Sequence, residues 1–409
     1  MTTKSAMIRP SSRVPVPEGM MMRLRFDALD GLRFVGALAV LTTHVGFDSG
    51  DALRGPFASI LARLDAGVAL FFVVSGFLLF RPHAMAHLEG RRRPRPLAYY
   101  ARRAARILPP LWIAVLLAAV LVRDGSSPGD YLAHATLTQI YVGTPLTPGL
   151  TQFWSLATEV AFYLVLPLVA ALACRGPADA SWCRRVLIGL SVMPAVGATW
   201  MALATTTGHA SARLWLPGYV GWFALGMGLA VWHAGRTTGI LPRSRFEVLA
   251  QFPGTVWALL LAVYLLSTSA VAGPIDLTEP SPFQAATKNL LYAAIGLLAV
   301  APTVLAIPPA REPRALAPLT GRTGAWLGRV SYGVFAYHVI VLELVNEIPG
   351  YEPFTGGFGT RWVLTLGVVI LVATASYYVV ERPIMRRVRV GRGHGRPHTV
   401  VRSATQTSP

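Results

Sequence analysis

An arginine and a histidine stand out in the first apolar segment of the chain, LDGLRFVGALAVLTTHVGF, which covers residues 29–47. Arg33 and His44 are eleven positions apart, almost three whole helical turns, so both side chains leave the same face of a helix. Ionisable side chains at membrane depth are costly and normally face a bundle interior or a cavity. We therefore predict that this face forms one wall of an active site. In the alternative interpretation, Arg33 snorkels to the membrane interface and His44 is a hydrogen-bonded packing residue.

A glutamate in the fourth apolar segment, FWSLATEVAFYLVLPL, offers His44 a partner. If this segment enters the membrane from the outer side, Glu159 lies roughly 9 Å below the outer boundary and His44 within about 5 Å of it. A carboxylate beside an imidazole holds its tautomer and stabilises the imidazolium that forms when the imidazole takes a proton. We predict that Glu159 orients His44 as a general base. The alternative is a structural ion pair between Glu159 and an arginine.

Two further motifs place polar or small residues next to apolar runs. In YYARRAARILPPLW, Arg103 and Arg106 share a helical face and suit the grip of one polyanion such as a phosphate. The tendency of arginine to collect on the cytoplasmic side explains the same pair equally well. Ser75 and Gly76, within GVALFFVVSGFLLFRP, are assigned to a polar wall of a substrate channel, although packing between helices is the simpler interpretation.

Polar residues in two other segments are assigned to the same channel. Trp154 and Ser155 precede Glu159 at the start of the fourth segment. Tyr337 and His338, in SYGVFAYHVIVLELVNE, lie near the middle of the ninth. A second intramembrane histidine favours a polar bundle interior, although His338 with one satisfied hydrogen bond is a simpler interpretation. No metal site is predicted, since the two cysteines of the chain, at 174 and 183, supply too few ligands.

The elements that must position these residues are membrane helices. The chain is 53% hydrophobic, its mean hydropathy is +0.50 and only 14% of it is charged, against about 25% in soluble domains. We predict an all-α, polytopic membrane protein, a bundle of about ten transmembrane helices. The apolar segments lie at about 31–47, 66–81, 107–123, 153–173, 185–203, 214–232, 253–272, 287–306, 327–348 and 361–381.

The charge pattern predicts the orientation of the bundle. Most of the lysines and arginines that give the net charge of +18 fall on alternate connections and on both tails, which therefore lie in the cytoplasm. Because the positive-inside rule explains this excess, we predict no nucleic-acid partner. We divide the chain into a cytoplasmic tail at 1–28, a transmembrane domain at 29–384 and a basic, disordered cytoplasmic tail at 385–409. No cleavable signal peptide is expected.

The motifs together resemble those of a known family. LDGLRFVGALAVLTTH, FFVVSGFLL, RRAARILP, FWSLATE, SYGVFAYH and YYVVERPIMRR occur in the order typical of the acyltransferase 3 family of bacterial integral-membrane O-acyltransferases, over most of residues 24–388. The resemblance implies transfer of an acyl group, often acetyl, from acyl-CoA to a hydroxyl of a glycan, a glycolipid or a macrolide-type product. It implies that His44 is the catalytic base and that Arg33, Arg103 and Arg106 contact the coenzyme.

These observations predict one mechanism and leave one alternative. His44, oriented by Glu159, removes the proton of the acceptor hydroxyl as its oxygen attacks the thioester. Arg103 and Arg106 hold the coenzyme phosphates, and Arg33 steadies the coenzyme or the oxyanion. We expect acyl-CoA as the donor, no permanently bound cofactor, membrane lipid as surroundings and the bacterial cytoplasmic membrane as location. The alternative is a transporter or flippase for a lipid-linked or small polar substrate.

Overall fold

The computed structural model describes residues 18–390, apart from 123–124, 144–145, 245–246, 249–251, 277, 306–315 and 350. Across these residues the chain is α-helical, with short 3-10 turns, a π-helical turn and no β-strand. The predicted all-α class is therefore confirmed. Residues 1–17 and 391–409, which make up most of the two predicted tails, lie outside the described residues.

Every one of the predicted apolar segments forms a helix. Nine of the described helical spans are long and apolar enough to cross a membrane, and one further apolar helix, α7, has 15 residues. The prediction of a polytopic membrane protein is thereby confirmed. The helices are α1 Glu18–Ser49, α2 Gly67–Leu88, α3 Pro96–Leu121, α4 Phe153–Ala173, α5 Ala180–Ser191 followed by Met193–Thr206, α6 Leu216–Thr237, α7 Pro253–Ser267, α8 Pro282–Leu305, α9 Arg322–Asn346 and α10 Phe358–Ser376.

Helix α2 lies at the centre of the bundle, and its closest neighbour is α6. A Cβ atom on Gly76 would lie 2.1 Å from the backbone oxygen of Phe223, and one on Gly226 would lie 2.0 Å from that of Val73. Only glycine permits two helix backbones to approach so closely. The prediction that Gly76 lines a substrate channel is therefore wrong, because this residue faces the α6 backbone and packs there.

Short helices fill the connections that the charge pattern predicts to be external. Ala58–Ala62 and the 3-10 turn Arg63–Ala66 join α1 to α2, and Pro128–Ala135 and Gln139–Val142 lie between α3 and α4. The buried Arg63 guanidinium donates to the carbonyl oxygens of Ser267 and Gly273 at 2.9 and 2.5 Å. Ser267 is the last residue of α7, where a positive charge is favourable, and Gly273 lies in the connection that follows. Arg63 thus ties the connection after α7 to the connection after α1.

Candidate active site

His44 lies near the C-terminal end of α1, where the next residues lead into the connection to α2. Its Nδ1 is 2.8 Å from the carbonyl oxygen of Val40, one turn earlier in the helix. Its side chain lines a cavity of about 620 Å³ together with Asp48, Asp65 and Lys288, which we call the histidine cavity. A ring nitrogen that faces a carbonyl oxygen must be the protonated one, so Nε2 is the nitrogen with a lone pair.

A second histidine, not a carboxylate, contacts His44. The Nε2 of His338 lies 3.2 Å from Nδ1 of His44, and the ring centroids are 5.0 Å apart in an edge-on arrangement. The Nδ1 of His338 faces the carbonyl oxygen of Phe335 at 2.8 Å. His338 is therefore protonated on Nδ1, and its Nε2 shares the Nδ1–H of His44 with the carbonyl oxygen of Val40, which is the closer acceptor. His338 is fully buried in α9, which fixes this geometry.

Glu159 does not take the position that the sequence suggested. Its carboxylate accepts a hydrogen bond from Tyr163 at 2.6 Å and a short one from Ser75. Tyr163 follows Glu159 by four residues and therefore shares its helical face. The predicted contact between Glu159 and His44 is therefore wrong, because the rotation of α4 turns the carboxylate toward α2 and the arginines.

Arginines surround this carboxylate in a cavity of about 60 Å³. Arg33, Arg103 and Arg106 all line it, together with Ser75 and Glu159, and we call it the arginine cavity. Arg102, one position from Arg103 in the chain, is not in its wall. The sequence prediction that Arg103 and Arg106 lie on one face thus agrees with their placement. Three guanidinium groups against two carboxylates, Glu159 in the wall and Asp30 paired with Arg33, leave this end of the site with an excess of positive charge.

Two of the three arginines retain capacity for an anionic ligand. Arg33 forms one ion pair, from Nη1 to Asp30 at 2.8 Å. The Nε atom of Arg103 is buried and has no hydrogen-bond partner among the described residues, and its guanidinium lies 5.9 Å from the centre of the Tyr163 ring. A guanidinium nitrogen without a partner is costly when buried, and a phosphate or oxyanion would satisfy it.

The arginine cavity and the histidine cavity share part of their walls. Ser155 and Phe335 line both of them. The Ser155 hydroxyl donates to the carbonyl oxygen of Gln152 at 3.1 Å, and the Phe335 ring packs edge-on against Phe71 and Phe153. One serine and one phenylalanine therefore stand between the positive charges and the imidazole.

Carboxylates surround the histidine cavity. Asp48, Asp65, Asp276 and Glu343 line it, against the cations Arg63 and Lys288. Asp276 lies in the connection after α7, where the hydroxyl and the backbone N–H of Thr278 donate to it at 2.5 and 3.0 Å. These hydrogen bonds lower the pKa of Asp276, so its carboxylate is ionised at neutral pH. The two cavities thus have opposite electrostatic character.

The remaining channel predictions divide into two groups. Trp154 and Ser155 line the histidine cavity, and Ser75 lines the arginine cavity. Tyr337 is buried and its hydroxyl lies 2.8 Å from that of Ser376 on α10. The prediction that Tyr337 lines a substrate channel is wrong, since its side chain turns away from both cavities toward α10.

Sequence reasoning missed several residues of this site, among them Tyr163, Phe335 and Gln152. Tyr163 was detectable, because it lies one turn after Glu159 on the same face. Phe335 and Gln152 had no such signal, since a phenylalanine in an apolar segment and a glutamine in a loop are common. Gln152 donates to the carbonyl oxygen of Ala336 at 2.9 Å and so joins α4 to α9 beside His44.

Comparison with known proteins identifies the family. The model of the acyltransferase domain of the acyltransferase 3 type matches residues 26–381. The peptidoglycan O-acetyltransferase OatA of Listeria monocytogenes is 23% identical over 88% of this chain and 56% of its own length. The acyltransferase MdmB of Streptomyces mycarofaciens is 26% identical over 89% of this chain and 92% of its own. The exopolysaccharide production protein ExoZ of Rhizobium meliloti is 26% identical over 80% and 91%.

The lengths of these relatives differ. The chain spans a little over half of the Listeria protein and nearly the whole of the Streptomyces and Rhizobium proteins. No solved structure matches the chain. The match to the family model covers all ten apolar helices, including the face of α1 with Arg33 and His44, and the order of the motifs agrees with it. The chain therefore belongs to the acyltransferase 3 family of multi-pass membrane acyltransferases.

Proposed function

We propose that this acyltransferase uses acyl-CoA as its donor and acylates a hydroxyl group of a carbohydrate, a glycolipid or a glycosylated natural product. The acyl group is acetyl in the simplest case. The Listeria relative is a peptidoglycan O-acetyltransferase, which supports transfer to a glycan hydroxyl. We place the protein in the bacterial cytoplasmic membrane, with both termini in the cytoplasm. In this orientation the histidine cavity faces the outer side of the membrane, and the arginine cavity faces the cytoplasm, where the donor is.

The observation that carries this proposal is the shared wall of the two cavities. The arginine cavity offers three guanidinium groups to phosphates, and the histidine cavity offers a neutral imidazole to a hydroxyl group. At about 60 Å³ the arginine cavity is far below the roughly 300 Å³ at which small-molecule sites begin. The nucleotide of acyl-CoA therefore stays at its mouth, and only the narrow thioester arm passes Ser155 and Phe335.

The chemistry follows from the protonation states. Nε2 of His44 takes the proton of the acceptor hydroxyl while its oxygen attacks the thioester carbonyl. The new C–O bond forms, the C–S bond breaks, and the proton passes from His44 to the departing thiolate. Arg33 stabilises negative charge on the coenzyme or on the carbonyl oxygen. The donor thus binds beside the arginines, and the base lies in the cavity that the acceptor enters.

His338 supports His44 in the role that the sequence suggested for Glu159. When Nε2 of His44 takes a proton, Nδ1–H carries part of the positive charge and donates to Nε2 of His338, 3.2 Å away. A neutral acceptor fixes the tautomer as a carboxylate would, with less electrostatic stabilisation of the imidazolium. Glu159 instead holds Ser75 and Tyr163 beside the arginines, where it organises the donor site.

The role of His44 is tested by substitution. We expect His44→Ala to abolish release of coenzyme A from acetyl-CoA in the presence of glycan acceptors, while acetyl-CoA still binds, because only the base is removed. The measurement is thiol release by purified protein in lipid nanodiscs, with calorimetry for donor binding. His209→Ala, an exposed histidine in the connection after α5, is the control and keeps full turnover. Near wild-type turnover in His44→Ala would end this assignment.

The donor site is tested with a shortened donor. We expect Arg103→Met to raise the KM for acetyl-CoA about tenfold or more, which corresponds to about 1.4 kcal/mol and to the loss of one charge-assisted contact. With S-acetyl-N-acetylcysteamine, a thioester without phosphates, the same variant should match the wild type. Arg102→Met is the matched control, because Arg102 is the neighbouring residue and lies outside the cavity wall. Equal effects with both donors would refute phosphate binding by Arg103.

A transporter or flippase is the second candidate, since a polar path through the bundle also suits passage of a substrate. Consumption of the thioester separates the two candidates. An enzyme releases free coenzyme A from acetyl-CoA, whereas a transporter moves substrate and leaves the thioester intact. The base lies in the anionic cavity, which shares part of its wall with the cationic cavity, and this arrangement favours the enzyme.

A further inference from the structure

A third cavity, of about 310 Å³, lies beside the histidine cavity and has no part in the mechanism above. Its wall contains four aromatic side chains, from Trp154, Tyr219, Trp222 and Tyr292, and we call it the aromatic cavity. The volume is at the lower end of the range of about 300–1,000 Å³ that small-molecule sites occupy. It therefore has room for one ring of a ligand rather than for a whole glycolipid.

The aromatic rings are held in fixed orientations. The indole N–H of Trp222 donates to a backbone carbonyl of α8 at 3.0 Å, and the Tyr292 hydroxyl donates to Asp65. The Tyr219 ring lies 4.8 Å from that of Trp222 and 5.5 Å from that of Trp154. Preformed flat surfaces of this kind bind a rigid ligand without an entropic cost of ordering the side chains.

Polar groups lie among the rings. Lys288 pairs with Asp65 at 2.9 Å, and the two side chains remain 34% and 39% exposed, so a ligand can reach both. Arg213 pairs with Glu279 at 2.6 Å. Each cation thus has its own carboxylate. Asn289 also lines the cavity, and its buried Oδ1 has no hydrogen-bond partner in the part of the chain that the structure describes.

We propose that the aromatic cavity binds one neutral pyranose ring of the acceptor, an inference that rests on the proposed function. The C–H faces of a sugar ring stack on the negative faces of aromatic rings, and its hydroxyls both donate and accept, as the pair of Asp65 and Lys288 requires. A phosphate would face cations that are already neutralised. A quaternary ammonium group would meet Lys288, whose Nζ already lies 5.1 Å from the Tyr292 ring centre.

The location of the cavity fits an acceptor subsite. Asp65, Val68, Trp154 and Lys288 line both the aromatic cavity and the histidine cavity. A ring held among the aromatic side chains therefore extends its substituents, or the next sugar unit, toward His44. The cavity is formed at the end of the bundle that the charge pattern assigns to the outer side, where an envelope glycan would arrive.

Binding of a sugar to the aromatic cavity is measured directly, without acyl transfer. The wild-type protein is placed in lipid nanodiscs, because maltoside detergents carry sugar headgroups that would compete. Saturation-transfer NMR is recorded with methyl β-glucopyranoside and methyl N-acetyl-β-glucosaminide, and with glycerophosphate and choline as charged probes. We expect saturation of the ring C–H protons of at least one glycoside and no signal from choline. Any glycerophosphate signal, which the arginine cavity can give, should be the same in Asp65→Asn as in the wild type. Signal from glycerophosphate or choline alone would overturn the proposal.

Variants locate the binding site. We expect Asp65→Asn and Tyr219→Leu to raise the Kd of the glycoside, obtained by titrating the saturation-transfer signal, about tenfold or more, which corresponds to the loss of about 1.4 kcal/mol. The matched controls are Asp130→Asn and Tyr141→Leu, since both residues belong to the short helices between α3 and α4 and lie outside the cavity wall. Asp65→Asn changes no shape and so keeps the test valid if Tyr219→Leu fails to fold. An unchanged Kd in Asp65→Asn would refute this site.

The reaction then separates this inference from the proposed function. If glycosides bind in the wild type and more weakly in Asp65→Asn, but acetyl-CoA is never consumed, the subsite stands and the proposed enzyme activity fails. If acetyl-CoA is consumed with a glycan acceptor and the KM for that acceptor is the same in the wild type and Asp65→Asn, the activity stands and the subsite is refuted.

Discussion

At the scale of single residues, the imidazole of His44 is distinguished by what its two nitrogens contact. Nδ1 faces the carbonyl oxygen of Val40 and Nε2 of His338, whereas Nε2 has no hydrogen bond among the described residues. Nδ1 therefore fixes the tautomer, and Nε2 is the base in the proposed mechanism. A histidine that only stabilised packing would have both nitrogens satisfied. The open Nε2 is what favours catalysis over the packing interpretation.

In the proposed mechanism His338 acts through His44, so its substitution should separate turnover from binding. We expect His338→Leu to lower kcat about ten- to a hundredfold, as loss of an orienting partner typically does, with the KM for acetyl-CoA unchanged. His338→Gln should recover part of kcat, because its amide oxygen can take the place of the Nε2 acceptor. Steady-state kinetics on all three proteins measures this. Equal losses in both variants would assign His338 to packing alone.

At the scale of helices, the contact between α2 and α6 positions Ser75 for the arginine cavity. Gly76 and Gly226 let the two backbones touch. Ser75, which directly precedes Gly76 in α2, is therefore held at a fixed depth in the bundle. Phe72 and Phe162 stack on the two sides of Phe223 at 4.4 and 4.0 Å, which joins α4 to the same pair. The geometry of the arginine cavity therefore depends on packed side chains that have no part in the proposed reaction.

The glycine contact predicts a specific loss of stability. Gly76→Ala places a methyl group within 2.1 Å of a backbone oxygen, and we expect a destabilisation of at least about 1–3 kcal/mol from overpacking. Gly228→Ala is the control on α6, since its Cβ would come no closer than 3.8 Å to any neighbour. That variant should be neutral or slightly more stable, because alanine favours helix. Thermal unfolding in nanodiscs compares them, and equal melting temperatures would contradict the close contact.

An ion pair joins α1, α9 and α10 beside the histidine cavity. Arg361 is fully buried and donates to Asp48 at 2.6 Å and to Asn346 at 2.8 Å. Removal of one partner leaves a buried charge unpaired, so we expect Arg361→Ala to lower the free energy of unfolding by about 3–5 kcal/mol. Arg54→Ala, at an exposed arginine of the nearby connection, should have little effect. Thermal unfolding without denaturant measures the stability of both variants. Similar melting temperatures for Arg361→Ala and Arg54→Ala would refute a structural role for Arg361.

At the scale of the whole molecule, the charge pattern and the cavities agree. Arg33, Arg103 and Arg106 line a cavity near the basic connection between α2 and α3, and the cavity with His44 is surrounded by the connections on the opposite side of the predicted topology. Under the proposed function, a donor and an acceptor would therefore approach one base from two directions. That separation suits an enzyme that moves an acyl group across the boundary between two compartments.

The predicted orientation is open to direct measurement. With Cys174 and Cys183, which are buried, replaced by serine, we expect Ser127→Cys to react with a membrane-impermeant maleimide in intact cells. Arg92→Cys, in the exposed connection between α2 and α3, should react only after permeabilisation. The reason is that arginine-rich connections stay in the cytoplasm. The reverse labelling pattern would invert the topology and exclude the proposed direction of transfer.

The sequence by itself determined the helices, the family and the first candidate residues. Length and hydropathy identify each membrane segment locally, because every backbone polar group in lipid must be satisfied within its own helix. The same local logic singled out Arg33 and His44, since a polar group in an apolar segment is visible without any neighbour. The motifs in order then predicted the acyltransferase 3 family, which the family model confirms.

Only the tertiary structure decided which residues meet. Each residue turns a helix by about 100°, so contacts between helices depend on rotations that no single segment encodes. Rotation of α4 placed Glu159 with Ser75 and Tyr163, and rotation of α9 brought His338, not Tyr337, to His44. Gly76 belongs to the packing of α2 on α6 for the same reason. The hydrophobicity of each segment can be read from the sequence, whereas the pairing of side chains across helices is a property of the packed bundle.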